Sequence, residues 1–95
     1  MNRKYEGLIA LNTTGTETPV DDLVGQVAKE MEAEGAKMDE IQQIGRRKFA
    51  YNARHLDAGH YVNFIFEAEG AVIGKIEKRL KSNHAVHIQH YQRLN

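Results

Sequence analysis

Residues 60–68 read His-Tyr-Val-Asn-Phe-Ile-Phe-Glu-Ala, a stretch in which apolar side chains recur at every second position. Val62, Phe64 and Phe66 fall on one face of an extended chain, because successive side chains of a strand point to opposite sides. The other face carries mixed residues, which is typical of a strand that buries one side only. We therefore expect residues 60–68 to form a central strand, with these three side chains in the core.

The segment before this strand predicts its hairpin partner. Residues 37–51 are strand-like, but Met38, Ile41 and Ile44 do not keep one parity, and Gly45 interrupts them. A β-bulge at Gly45 reconciles the pattern, since a bulge adds one residue to one strand of a pair. Beyond Gly45 positive charge falls on both sides of the strand, which suits an edge of the sheet.

Residues that favour turns join the two strands. The sequence Asp57-Ala58-Gly59 has typical turn chemistry, so we expect the hairpin tip to span residues 52–59. This tip contains Arg54 and His55.

A helix is predicted before the hairpin. Thr18 is a suitable N-cap, and Pro19 suits the first helical position, where its missing N–H costs nothing. Gly35 suits the end, because glycine adopts a left-handed backbone without Cβ strain. The sequence therefore predicts an amphipathic helix over residues 19–34. Its apolar stripe consists of Val20, Leu23, Val24, Val27, Ala28 and Met31.

A second helix is predicted after the hairpin, over residues 70–81. Its apolar stripe consists of Val72, Ile73, Ile76 and Leu80. Gly70 and Gly74 weaken it by roughly 1 kcal/mol each relative to alanine, so its stability must come from packing. Ser82 and Asn83 end it.

Two further strands complete the pattern, over residues 5–11 and 86–94. The order strand, helix, strand, strand, helix, strand is the ferredoxin-like split βαβ arrangement (βαββαβ) of the α+β class. We expect one domain over residues 1–95, with a four-stranded antiparallel sheet and both helices on one face. This fold hosts RNA binders, metal chaperones, sensors and phosphatases, so it does not decide the function.

Composition limits the classes of function. The chain has 95 residues with 41% hydrophobic content, enough for one small core, and no cysteine for disulfides or thiol chemistry. No stretch approaches the roughly twenty apolar residues of a membrane span, and the N-terminus does not resemble a signal peptide. We expect a soluble cytoplasmic protein without a membrane partner.

Charge is balanced overall but unevenly distributed. Thirteen basic residues match thirteen acidic ones. Residues 17–40 hold eight acids against two lysines, whereas residues 41–66 hold four bases against one acid, and residues 75–93 hold five bases against one. Phosphate contacts depend on local Lys and Arg, so such a chain can still present one basic side to RNA. Ordinary solvated faces produce similar charge runs.

Catalytic and metal sites are not indicated. His84, His87 and His90 recur at every third residue. On a strand His84 and His90 would share a face about 20 Å apart, at roughly 3.3 Å per residue, while His87 would point the other way. Metal ligands must instead converge within about 2 Å of one ion. With no cysteine and only Ser82 as a serine, no nucleophile arrangement is recognisable, and no phosphate-binding glycine loop is present. We expect no catalytic residue, metal or cofactor.

A basic and aromatic run is the remaining candidate. Residues 45–51 read Gly-Arg-Arg-Lys-Phe-Ala-Tyr. Arg46, Arg47 and Lys48 could bind phosphates by charge, and Tyr51 could stack on a base. The same residues equally suit a solvated edge strand that charge protects from aggregation. The run by itself does not decide between these interpretations.

Several segments together resemble the bacterial small-subunit ribosomal protein six family. They are Arg3-Lys4-Tyr5-Glu6, the run 45–51, Gly59-His60-Tyr61-Val62, Leu80-Lys81-Ser82-Asn83 and Val86. The resemblance covers nearly the whole chain. Two departures stand out: Asn52-Ala53-Arg54-His55 replaces the family's usual proline and basic residues, and residues 87–93 are more polar than the family's valine-rich last strand.

The resemblance implies a structural constituent of the small ribosomal subunit with no enzymatic activity and no small-molecule substrate. It implies binding to the central domain of the small-subunit rRNA together with small-subunit ribosomal protein eighteen. By resemblance, the positions expected near the RNA or the protein partner are Arg3, Lys4, Arg46, Arg47, Tyr51 and Asn83. Lys48 is added from the basic run, and Arg54 and His55 are added by local charge. The alternative is a small-ligand or metal-sensing regulatory domain of the same fold.

Overall fold

In the computed structural model of the chain, the elements follow the predicted order βαββαβ. The structure describes residues 2–12, 17–53 and 56–94, and along residues 46–53 and 56–58 it describes the backbone only. The strands are β1 (Arg3–Leu11), β2 (Lys37–Ala53), β3 (Leu56–Ala68) and β4 (Val86–Arg93), and the helices are α1 (Val20–Ala33) and α2 (Gly70–Lys81).

The described strands form one antiparallel sheet in the order β2-β3-β1-β4. The central position expected of β3 and the edge position expected of β2 are both confirmed. Along the β1–β3 pair the register runs from Arg3 opposite Ala68 to Leu11 opposite His60. This register defines two ends of the sheet, one near Arg3 and one near Leu11.

The bulge at Gly45 is confirmed. Gly45 has a φ of 99°, and the β2–β3 register shifts between Gln43 and Gly45. A second shift, between Met38 and Glu40, was not expected and accounts for the remaining irregular parity of this strand.

The predicted hairpin tip of residues 52–59 is wrong in its extent. Backbone pairs continue beyond the bulge, with Arg47 opposite Gly59 and Lys48 opposite Ala58, and after a further register shift Ala53 lies opposite Leu56. The turn expected at residues 57–59 is therefore strand, because the backbone pairing of two long strands outweighs the turn preference of individual residues. Arg54 and His55 lie outside the described residues.

The helix boundaries differ from the predicted ones by at most one residue. Helix α1 begins after Pro19, whose backbone is extended at ψ 145°, so the expected cap by Thr18 is wrong. The Pro19 carbonyl instead accepts the amides of Asp22 and Leu23. The stop at Gly35 is confirmed by its φ of 114°. Neither described helix is long and apolar enough to cross a membrane.

The core lies between the sheet and the helices. Val62, Phe64 and Phe66 are fully buried, which confirms the predicted inner face of β3. Ile9 and Leu11 of β1 join them. Helix α1 contributes Leu23, Val24, Val27, Ala28 and Met31, and helix α2 contributes Ile76 and Leu80. The opposite face of the sheet is open within the described part of the chain.

Candidate functional site

Arg3 and Lys4 lie at one end of the sheet, at the start of β1. Both are exposed. The Lys4 ammonium lies 3.8 Å from an Asp39 carboxylate oxygen, and the Lys4 carbonyl accepts the amide of Leu94 at 2.8 Å. This end of the sheet thus offers two basic side chains on a backbone that is tied to the segment after β4.

The basic run lies at the other end of the sheet. Its backbone belongs to β2, where Arg46 pairs with His60 and Lys48 pairs with Ala58. The side chains of residues 46–51, including Arg47 and Tyr51, lie outside what the structure describes. The run begins at this end because β2 pairs with β3 as far as His60, which lies opposite both Arg46 of β2 and Leu11 of β1.

The predicted basic positions do not come together in one place. Arg3 pairs with Ala68 and Arg47 pairs with Gly59, and these partners are nine residues apart along β3. Nine residues of strand span about 30 Å at roughly 3.3 Å per residue. One small contact cannot include both groups, so they would meet an external partner at separate points.

Asn83 lies in the turn between α2 and β4 and uses its side chain within the molecule. Its amide nitrogen donates to a Glu30 carboxylate oxygen at 2.8 Å, and its amide oxygen accepts the backbone N–H of Ala85 at 2.9 Å. Arg79 lies 3.8 Å from Glu30 and 2.7 Å from Glu34. These contacts fasten the α2–β4 turn to α1, a role that sequence reasoning did not assign to Asn83.

The open face of the sheet carries a chain of polar side chains across three strands. The Asn63 amide donates to Glu6 at 3.1 Å and to Gln42 at 3.3 Å. Gln42 in turn donates to Glu40 at 3.1 Å. Carboxylates at both ends of this chain make the middle of the open face acidic, which would repel phosphate.

An apolar strip lies beside these polar residues. The register places Leu8 next to His90, and Ala10 between Tyr61 and Ile88. Ile88 is 37% exposed although it is a large aliphatic side chain. Sequence reasoning placed both helices on one face of the sheet but did not indicate that the other face combines an apolar strip with acidic neighbours. That combination requires the register of β1 against both partners.

A groove of about 520 Å³ runs between α2 and β4. Lys78 and Lys81 line its helical side together with Gly74 and Glu77, and His87 lines its strand side. The sequence indicated a basic segment over residues 75–93, but the groove itself depends on how α2 packs beside β4.

Tyr91 anchors the strand side of this region. Its hydroxyl donates to the Gln89 side chain at 2.6 Å, and the Gln89 amide donates to the Glu77 carbonyl at 3.2 Å. Burial raises the pKa of the Tyr91 hydroxyl above its ordinary value, and the negative charge of Glu77 raises it further. Tyr91 is therefore a neutral hydrogen-bond donor that holds β4 to α2.

The histidines that suggested a metal hypothesis lie in three different places. His84 precedes β4 and lies in the turn, as the predicted strand over residues 86–94 implies, so it shares no strand face with His90. His87 lines the groove, and His90 lies beside Leu8 on the open face. Within the described ranges, no group of three or more His, Cys, Asp or Glu side chains could hold a metal ion.

Comparison with known proteins identifies the family of this chain. Residues 4–88 match the model of the family described as ribosomal protein S6. The chain is also 47% identical, over 92 residues, to the small ribosomal subunit protein bS6 of Akkermansia muciniphila, covering 97% of this chain and 98% of that protein. The chain belongs to the ribosomal protein S6 family. It is accordingly a structural, non-enzymatic protein of the small ribosomal subunit, located on the ribosome in the bacterial cytoplasm, where ribosomal RNA is its partner.

Solved structures agree on the fold. The structure of the 30S ribosomal protein S6 from Thermotoga maritima superposes with a TM-score of 0.86 at 24% identity, covering 99% of this chain and 89% of that one. A homoserine dehydrogenase from Thiobacillus denitrificans also superposes, with a TM-score of 0.66 at 8% identity, over 18% of its own length. The second match shows that this fold also occurs within an enzyme of a different class.

Proposed function

We propose that this S6-family chain binds the central domain of the small-subunit rRNA together with small-subunit protein eighteen. The observation that carries the proposal is the separation of charge over the molecule. Exposed acids such as Asp21 and Asp22 line α1, and Glu6 and Glu40 lie on the open sheet face, while the predicted basic positions lie at the two ends of the sheet. RNA is expected at the ends rather than on these faces.

The chain's neutrality supports a cooperative mode of binding. Affinity for RNA rises with the number of phosphates that a protein neutralises, because each contact releases counterions. Thirteen bases and thirteen acids leave little surplus charge for this. A protein neighbour that binds the same RNA can supply the missing free energy through coupling between the two sites.

The open sheet face is the surface that suits the protein neighbour. Its apolar strip includes the exposed Ile88 and the adjoining Leu8, which a protein can cover. The Glu6–Asn63–Gln42–Glu40 chain beside it offers hydrogen-bond acceptors to a basic side chain of that neighbour. RNA phosphates would meet repulsion on the same surface.

Reconstitution tests the proposal. The chain is titrated against central-domain RNA with and without protein eighteen, and parallel sedimentation from lysate measures incorporation into small subunits. We expect strong binding only when protein eighteen is present. In that setting Arg46→Ala/Arg47→Ala/Lys48→Ala should weaken binding and flatten its salt dependence by about one log-log unit per lost phosphate contact.

A charge-conserving variant provides the control. Arg46→Lys/Arg47→Lys keeps the positive charge and should retain most of the salt slope. If the triple alanine variant assembles with unchanged affinity and unchanged slope, the basic run is a solvated edge. If the parent chain shows no RNA binding with protein eighteen present, the proposed function itself is wrong.

A further inference from the structure

Helix α2 presents three sides with different neighbours. Its buried side, Ile76 and Leu80, faces the core. Arg79 reaches toward α1 and pairs with Glu34 at 2.7 Å. Gly74, Lys78 and Lys81, which lie on one stripe because they are spaced by four and three residues, line the groove beside β4. The two lysines are therefore separate from the ion pairs that join the helices.

We infer that this groove binds the phosphate backbone of the RNA. Among the described residues, Lys78 and Lys81 take part in none of the ion pairs, and both are exposed. His87 adds an imidazole on the opposite wall, whereas Glu77 is the acidic side chain that lines the groove. Ammonium groups are hydrogen-bond donors, and a phosphate oxygen is an acceptor only. The inference rests on the proposed function, since it names a contact surface for the same RNA.

Gly74 shapes the helical side of the groove. A glycine inside a helix costs roughly 1 kcal/mol relative to alanine. A Cβ built at Gly74 would meet no atom within 4 Å, so packing within the chain does not require glycine there. Its missing side chain keeps the groove open next to Lys78, which is what the approach of a sugar-phosphate backbone needs.

The groove lies at the same end of the sheet as the basic run. The Asn12 amide donates to the Ala85 carbonyl at 2.7 Å, and Val86 pairs with Leu11, which is itself opposite His60. His60 pairs in turn with Arg46. The β4 side of this end thus adds bases to the β2 side, and the RNA would extend across both edges of the sheet.

Variants that change charge test the inference in the presence of protein eighteen. Lys78→Ala/Lys81→Ala should lower the salt slope of binding to central-domain RNA by about two units, one for each lysine. Lys29→Ala removes an exposed lysine of α1 that does not line the groove and should leave the slope unchanged, whereas Lys78→Ala alone should lower it by about one unit. Glu77→Gln should strengthen RNA binding, a gain that misfolding cannot produce.

Variants that change shape test it without altering charge. Gly74→Leu places a bulky helix-favouring side chain in the groove and should weaken RNA binding while the urea midpoint stays equal to or above that of the parent. Gly25→Leu, on α1, makes the same change where a Cβ also meets nothing within 4 Å, and it should bind as the parent does.

The outcomes separate this inference from the proposed function. If the parent binds RNA while the lysine and Gly74 variants match their controls, the groove is not an RNA site and the proposed function stands. If the lysine variant loses affinity for protein eighteen in the absence of RNA, the groove serves the protein and the inference is overturned. If the parent does not bind RNA at all, both are wrong.

Discussion

At the scale of a residue, Asn83 was expected near the RNA or the protein partner, but its side chain forms hydrogen bonds within the molecule. Its amide joins Glu30 and Ala85, so removing it takes a hydrogen bond from a backbone N–H and from a carboxylate, which keeps its 3.8 Å contact with Arg79. We expect Asn83→Ala to lower the free energy of unfolding by about 1–3 kcal/mol, the usual range for hydrogen bonds to charged groups. Urea unfolding measures this.

Two further substitutions distinguish a loss of stability from a loss of contact with the RNA or the protein partner. Asn83→Asp should cost at least as much as Asn83→Ala, because it sets a second carboxylate against Glu30. Ser82→Ala, one residue earlier and exposed, should stay within about 0.5 kcal/mol. Full stability of Asn83→Ala, combined with failure to enter small subunits, would instead make Asn83 a direct contact.

At the scale of elements, the sequence predicted most where one periodic pattern decided the structure. Helix α2 has the predicted bounds, Gly70–Lys81. Its apolar residues keep one helical spacing along this segment and face the core on one side, so the pattern was readable from the sequence. The hairpin tip was mispredicted because turn preferences are local, whereas the pairing of β2 with β3 is summed over many residues. The groove could not be predicted, since periodicity does not show how closely α2 approaches β4.

Glycines in the two helices allow a prediction about element stability. A Cβ at Gly25 or at Gly74 would meet nothing within 4 Å. Gly25→Ala and Gly74→Ala should therefore each raise the free energy of unfolding by about 0.5–1 kcal/mol, through reduced freedom of the unfolded chain. Urea midpoints measure the gain. Gly45→Ala is the contrasting case, because its φ of 99° strains an alanine and should lower stability.

At the scale of the whole molecule, the fold places the acidic and basic segments of the sequence on different surfaces. The acidic segment 17–40 supplies α1 and the start of β2, and register adds Glu6 from the N-terminal strand to the acidic open face. The sequence indicated an acidic side and a basic side, but it did not indicate that the bases divide between two ends of the sheet. That division depends on strand register, which places Arg3 opposite Ala68 at one end of β3 and Arg47 opposite Gly59 toward the other.

The two ends of the sheet should act independently on RNA. Arg3 and Arg47 are about 30 Å apart along the sheet by their β3 partners, and substitutions more than about 10 Å apart add within roughly 0.5 kcal/mol. We therefore expect the losses in binding free energy of Arg3→Ala/Lys4→Ala and of Arg46→Ala/Arg47→Ala/Lys48→Ala to sum in the combined variant. Titrations with protein eighteen present measure all three.

Substitutions of adjacent residues provide a comparison for this test of additivity. Arg46→Ala and Arg47→Ala, made singly and together, change neighbours on one strand, where coupling of about 0.5–3 kcal/mol is usual. Lys4→Ala also frees Asp39, but an exposed pair 3.8 Å apart contributes at most about 1 kcal/mol, which urea unfolding of the variant would register. A combined loss well below the sum would mean that one RNA segment cannot engage both ends at once. A loss well above the sum would mean that the two ends share a conformational change on binding. The sheet would then change shape when RNA binds instead of holding the two ends at a fixed distance.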